Sequence, residues 1–319
     1  MIDDKWQYKI IPEDLNTLND DLYIFDLNIL YKCDFKCSYC YNKELLKLDK
    51  FIFDVQQLRL LLSAIEQNID NSKYKIKFHI LGGEPTLHPE LDKIILEILN
   101  NKNINLDMVK LFSNGSLIDK YVDMFKQYTQ VKNKKLDIYL TYHAEKIQPK
   151  KFIEKIEYLY DKGLDFTTYI LINPEYKEYI DYLSEYMYEH QNFKYVYTIL
   201  RNSEESVKLF YTYKHKDNRS LDLVEINKNN DIIWKCNSNK VPPGKFFKYN
   251  CLYLKRVFTV DPRGIISREC FYGKKFKEKF YIYPNNFKKF LKLSNRYIIC
   301  ENENNICPCD VSHNYTKYK

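Results

Sequence analysis

Glycine is scarce in this chain, seven residues in 319, so each is expected where only a missing side chain will serve. No stretch is rich enough in Gly, Pro or Ser to be a disordered linker, and no fixed-period repeat recurs, which excludes low-complexity and solenoid architectures. No apolar run approaches the about 18 to 20 residues of a membrane helix, and Met1-Ile2-Asp3-Asp4-Lys5 lacks the order of a signal peptide. The expectation is a cytoplasmic protein without a membrane partner. Arginine is as scarce as glycine: seven against 43 lysines, within 50 basic and 43 acidic residues that leave a net charge of +7. Nucleic-acid recognition leans on the guanidinium fork, and lysine spread along the whole chain argues against it.

What the chain does have is apolar mass and cysteine. It is 45% hydrophobic and 16% aromatic, enough to bury a large core. Nine Cys without an export signal do not suit a disulfide framework, and metal or redox chemistry is the better reading. Hydrophobic patterning predicts a strand over 22–31, a helix over 54–68, and then strand and helix in alternation. The later strands fall at 75–81, 107–112, 136–142, 165–172 and 194–200, and the helices at 89–101, 117–128, 149–162 and 176–189. That order predicts an α/β fold, a partial (β/α)6 TIM-like barrel with its working loops at the strand C-terminal ends.

Cys33, Cys37 and Cys40 fall on one loop directly after the first strand. A closed zinc or electron-transfer site uses four protein ligands, whereas three thiolates on a four-iron cluster leave one iron open. A structural zinc site completed by His79 or a distant Cys is the alternative. The second strand runs into Gly82-Gly83-Glu84-Pro85, the third into Ser113-Asn114-Gly115, and the fourth into Thr141-Tyr142-His143. Taken alone, the glycine pair also fits an ordinary strand-to-helix turn, Asn-Gly a tight turn, and His143 a polar loop residue.

The CxxxCxxC triplet with aromatic Tyr39 before its last Cys, followed by an intact GGEP segment, resembles the signature of the radical S-adenosylmethionine (SAM) enzymes. The resemblance implies that Cys33, Cys37 and Cys40 hold a [4Fe-4S] cluster whose open iron is chelated by SAM. It further implies SAM contacts from Tyr39, Gly82, Gly83, Glu84, Pro85, Ser113, Asn114 and His143. Adjacent glycines would bring backbone carbonyls close to the cationic amine, with Glu84 adding negative charge and Pro85 fixing the turn. The fifth strand ends in Asn173-Pro174-Glu175, without the glycine pattern many relatives carry beside adenine.

After about residue 225 the alternation stops, and six Cys follow at 236, 251, 270, 300, 307 and 309, around a hairpin turn at Asp261-Pro262-Arg263-Gly264 and a short helix over 285–293. This order resembles the twitch and SPASM modules that follow some radical SAM barrels. It implies a second [4Fe-4S] cluster, for which Cys251, Cys270, Cys307 and Cys309 are the favoured ligands and Cys300 competes for a place. A zinc site or buried structural Cys are the alternatives. The expected organisation is an N-terminal extension over 1–21, the barrel over 22–225, and a small Cys-rich α+β cluster module over 226–319.

The implied activity is that of an oxidoreductase whose 5′-deoxyadenosyl radical takes hydrogen from a substrate carbon, with the tail cluster accepting an electron. Its partners are SAM, a small-molecule or peptide substrate, and a reductant such as flavodoxin or ferredoxin. With about 21 residues ahead of the first strand, there is little room for a leader-recognition domain, which tilts the expectation towards a sugar or aminosugar. A peptide maturase that cross-links or epimerises is the second reading, Cys236 or Cys300 then being a hydrogen donor. A non-catalytic iron-sulfur or zinc protein is a third.

Overall fold

The computed structural model describes residues 21–40, 42–129, 135–200, 257–267 and 280–294, with 205–206, 209, 213, 225–226 and 232–234. Six parallel strands follow one another in order: β1 (Leu22–Asn28), β2 (Lys75–Leu81), β3 (Leu106–Ser113), β4 (Leu136–Tyr142), β5 (Thr167–Ile172) and β6 (Lys194–Ile199). Helices α1 (Val55–Asn68), α2 (Leu91–Leu99), α3 (Val122–Thr129), α4 (Pro149–Asp161) and α5 (Lys177–Glu189) connect them. The local chemistry is written in the chain. Asp54 caps α1 by accepting from the Gln57 backbone N–H at 2.8 Å, while the Gln57 side chain accepts from the Asp54 N–H at 2.9 Å. Pro149 opens α4, where a missing N–H costs nothing.

Strand ends depart from the expected ones where side contacts intervene. The chain leaves the sheet after Asn28 rather than at 31, because Leu30 makes an isolated bridge to Ile52 and its carbonyl turns to Gly83. The helix expected over 117–128 opens as a 3-10 turn, Ile118–Tyr121, before α3 begins.

The region after 225 is described in part. Glu225–Ile226 (β7) and Ile232–Trp234 (β8) form a two-stranded ribbon. The hairpin at Asp261–Gly264 is present, between β9 (Val257–Val260) and β10 (Ile265–Ser267), with Gly264 at φ +74°. It does not stand apart: β9 pairs in parallel with β1, β10 with β9 and β11 (Phe280–Tyr281) with β10, giving one nine-stranded sheet ordered β11-β10-β9-β1-β2-β3-β4-β5-β6. The last helix, α6 (Pro284–Ser294), packs on the barrel side, with Phe287 stacked 6.2 Å from Phe25 and Phe290 edge-on to Phe258 at 5.0 Å. Phe258, Val260, Ile266, Phe287 and Phe290 belong to the same core as Phe25, Phe78 and Leu111. Cys236, Cys251, Cys270, Cys300, Cys307 and Cys309, and with them the expected cluster module, lie outside the described residues, as do residues 1–20.

Alternate residues of the strands face the helices. Phe25, Leu27, Phe78, Ile80, Val109, Leu111, Ile138, Leu140 and Ile170 are buried there against Leu58, Ile65, Ile94, Phe125 and Ile156. The intervening residues face the inside of the partial barrel and differ in kind. Asp26 meets His79 at 2.8 Å, Phe112 lies edge-on to His79 at 5.5 Å and stacks on Tyr139 at 4.9 Å, and Tyr169 leans on Tyr139 at 4.7 Å. Lys110 Nζ sits 5.0 Å over the Tyr139 ring. His79 is thus held by its neighbour on β1, and among the described residues it joins no group of three or more His, Cys, Asp or Glu that could hold a metal ion.

Candidate cluster and cofactor site

The parallel order brings the exits of β1, β2, β3 and β4 to one rim, and the three cysteines lie on the first of these exits. Cys37 is buried, Cys33 and Cys40 are partly exposed, and all three are free thiols. Burial pushes the Cys33 thiol up to about 12, against a hydrogen bond from the Phe35 backbone, and raises Cys37 as well. Thiols so placed become good ligands once a cationic metal centre offsets the desolvation of the thiolate. Among the described residues no group of three or more His, Cys, Asp or Glu forms a ready single-ion site. The donor set fits a thiolate-bound cluster in number, type and spacing.

Gly82 and Gly83 also serve a contact within the chain. A Cβ on Gly83 would lie 2.1 Å from the Lys32 carbonyl oxygen, and one on Gly82 2.3 Å from that of Leu30. Their absence lets the Gly83 N–H donate to Leu30 O at 2.9 Å and the Glu84 N–H to Lys32 O at 2.8 Å, stitching the β2 exit to the root of the cysteine loop. The Gly82 carbonyl accepts from Asn42 Nδ2 at 3.1 Å. Pro85 is buried and opens a short 3-10 turn, Pro85–Leu87.

Glu84 is buried between the β2 and β3 exits. It is 1% exposed; Oε1 accepts from the Thr86 N–H (2.9 Å), Thr86 Oγ1 (2.6 Å) and Ser113 Oγ (2.7 Å), and Oε2 from the Asn114 N–H (2.6 Å). Burial raises its carboxyl above the usual range, while all of these donors favour the anion. Glu84 therefore ties the β2 exit to the β3 exit. Asn114 carries the tie onward, donating from Nδ2 to Asp34 Oδ1 at 2.9 Å between Cys33 and Cys37.

The β4 exit closes the far side. His143 Nδ1 lies 3.0 Å from the Tyr39 hydroxyl and 3.8 Å from Cys37 Sγ, with its ring nearly parallel to that of Tyr39 and met edge-on by Phe35. Burial pulls its pKa down to about 4, so the ring is neutral near pH 7. Two residues on, Glu145 Oε2 accepts from both the N–H (2.8 Å) and the hydroxyl (2.9 Å) of Ser38. The structure thus brings Tyr39, Gly82, Gly83, Glu84, Ser113, Asn114 and His143 around one loop. Sequence reasoning missed Asp34, Asn42 and Glu145. Only the position of Glu145 at a strand exit hinted at a role.

Comparison with known proteins agrees with this geometry. The family model described as the Radical SAM superfamily matches residues 27–187. A probable GTP 3′,8-cyclase of Methanococcus maripaludis is 30% identical over 102 residues, which are 32% of this chain and 32% of that protein. The GTP 3′,8-cyclase of Staphylococcus saprophyticus is 33% identical over 98 residues, 30% of this chain and 28% of its own. The match spans less than two thirds of the length of either cyclase. Among solved structures, native anSMEcpe with bound AdoMet superposes with a TM-score of 0.54 at 16% identity, covering 86% of this chain and 84% of that one. Streptococcus suis SuiB bound to precursor peptide SuiA gives 0.54 at 14% identity, covering 88% and 66%. These structures share the fold.

Proposed function

The chain belongs to the radical SAM superfamily, and from that premise we propose that it is an oxidoreductase that abstracts hydrogen from an unactivated substrate carbon. The observation that carries this reading is the cysteine loop itself: three free thiols on the β1 exit, stitched to Gly83 and Glu84 on one side and to the β4 exit on the other. Cys33, Cys37 and Cys40 are the residues that would hold the cluster. When bound, a four-iron cluster with SAM on its open iron supplies the electron that splits SAM into methionine and a 5′-deoxyadenosyl radical.

The chain's own residues then have three tasks. The Gly82–Pro85 turn, Ser113 and Asn114 fix the rim on which SAM is to lie, Glu84 acting as the strut between them rather than as a surface charge. Tyr39 and neutral His143 cover Cys37 and keep water from it. Inside the barrel, Phe112, Tyr139 and Tyr169 offer stacking faces, and Asp26, His79 and Lys110 offer polar groups, below that rim. This lining supports a polar substrate held by stacking and hydrogen bonds, first a sugar or aminosugar.

A peptide side chain is the second reading. It is favoured by the extent of the likeness to anSMEcpe and SuiB, the latter solved with its precursor peptide. The auxiliary cluster on Cys251, Cys270, Cys307 and Cys309, with Cys300 as alternative, is supported by the order of cysteines in the sequence. Reconstituted anaerobically with iron and sulfide and given a strong reductant, the chain is expected to release 5′-deoxyadenosine from SAM, and Cys37→Ala to abolish that release. Cleavage persisting in Cys37→Ala would sink the site, and none in the loaded parent would leave a non-catalytic iron-sulfur protein. A Cys33, Cys37, Cys40→Ala triple variant that still retains about four irons would place a second cluster in the tail. Transfer of deuterium from labelled sugar or peptide into 5′-deoxyadenosine separates the two substrate readings.

A further inference from the structure

Resting on the reading that Cys33, Cys37 and Cys40 carry a cluster, the geometry points to Glu145 as the positioning residue that presets the Cys37–Cys40 interval for iron-sulfur loading. The two intervals of the loop are held differently. The first, between Cys33 and Cys37, is tied through Asp34 to Asn114 on the β3 exit. The second contains Ser38 and Tyr39, and within it the Cys40 N–H donates to Cys37 O at 3.2 Å. That turn bond does not say where the segment sits relative to the barrel. Glu145 does: one carboxylate oxygen takes both the backbone N–H and the hydroxyl of Ser38, fixing the residue in place and in orientation. The neighbouring His143 reaches Tyr39, so the β4 exit holds two consecutive residues between two thiols.

The carboxylate is itself held. Lys146 Nζ lies 2.7 Å from the other oxygen, Oε1, which leaves Oε2 for Ser38. Burial works to raise the Glu145 carboxyl, but Lys146 and Ser38 outweigh it and keep the group below the usual range. A turn in which the N–H groups of Lys146 (2.8 Å) and Ile147 (3.1 Å) both donate to His143 O, with Ala144 buried, sets where Glu145 emerges just before α4. Three thiols on a single loop must converge before a cluster can seat. A rigid outside anchor meets that ordering cost during folding rather than during iron capture.

The test is anaerobic reconstitution of the full chain as wild type, Glu145→Ala and Glu145→Gln, with iron bound by the Cys33, Cys37, Cys40→Ala triple variant subtracted to remove any tail contribution. Iron and sulfide per chain, the rate of iron loss to a chelator and the electron paramagnetic resonance line shape of the reduced cluster are the readouts. Glu145→Ala should lose iron about tenfold faster than wild type and broaden the line. Glu145→Gln, whose amide oxygen can still accept both Ser38 hydrogens but whose amide nitrogen gives up the Lys146 contact, should fall between wild type and Glu145→Ala. An unchanged melting temperature of the metal-free Glu145→Ala chain checks that it folds, and the contrast with Glu145→Gln serves if it does not. Iron retention in Glu145→Ala equal to wild type overturns the proposal, as does Glu145→Gln failing as badly as Glu145→Ala. So does normal loading in Glu145→Ala with SAM no longer perturbing the resonance, which would assign Glu145 to SAM instead. Wild type binding no more iron than the triple variant would remove the cluster reading beneath the proposal.

Discussion

The two faces of the sheet differ more than any two segments of the chain. On β1, Phe25 and Leu27 go to the helices while Asp26 goes inside; on β2, Phe78 and Ile80 go out and His79 in; on β3, Leu111 goes out and Lys110 and Phe112 in. A closed eight-stranded barrel fills its interior with branched aliphatic layers. Here the outer face carries the packing, and the inner face carries an Asp–His pair, a lysine and stacked aromatic rings. Fold and chemistry are written on alternate residues of the same strands, so a slip of one residue in register would exchange them.

That contrast can be broken by substitution. On the outer face, Phe78→Ala should cost about 3 to 5 kcal/mol in urea unfolding, since the side chain is fully buried between Phe25 and the helices. Tyr139→Phe on the inner face should cost about 1 kcal/mol or less; equal costs would erase the distinction. At the rim, Gly83→Ala puts a methyl 2.1 Å from Lys32 O, so the cysteine loop has to move. A loss of about 2 kcal/mol or more with impaired iron loading is expected, and normal loading would show that the stitch to Lys32 is dispensable.

A third probe uses acid. Burial, with Lys110 and Lys77 nearby, holds the His79 pKa well below its ordinary 6.5 and outweighs the Asp26 carboxylate at 2.8 Å. The unfolded chain takes up that proton near 6.5, so the stability contributed by the neutral ring is present above this pH and falls as pH drops below it. His79→Gln should therefore show a flatter stability profile than wild type between about pH 7 and 5; parallel profiles would mean that His79 has the same pKa folded and unfolded. Asp54→Ala, which removes the α1 cap, should cost about 1 kcal/mol by thermal or urea unfolding.

Whatever is local in the sequence was legible there. The ends of β2 and β4, the start of α1 and the hairpin turn follow from period, apolar runs and turn residues, because each depends on neighbours a few positions away. The cysteine triplet and the Gly82–Pro85 segment were visible for the same reason. What was not visible joins distant segments: Asn114 to Asp34, Glu145 to Ser38, Asn42 to the Gly82 carbonyl. No spacing rule encodes a bond across strand exits, so the role of Glu84 as an internal strut between β2 and β3 was not legible. The pairing of the hairpin strand β9 with β1 was invisible for a like reason, since an edge-to-edge pairing leaves no mark in the pattern of either strand.

The parallel pairing of β1 with β9 has a kinetic consequence. Ile24 meets Val257, a partner that leaves the ribosome about 230 residues later, so the Ile24–Leu27 edge of the first strand must wait for most of synthesis. The contact is among the longest loops the chain has to close, and it is expected late in folding, after the consecutive β1-to-β6 units have assembled. Until then β1 is an apolar edge able to pair with another nascent chain. Slow translation, chaperone supply and low expression temperature should therefore govern soluble yield more strongly than the stability of the finished barrel does.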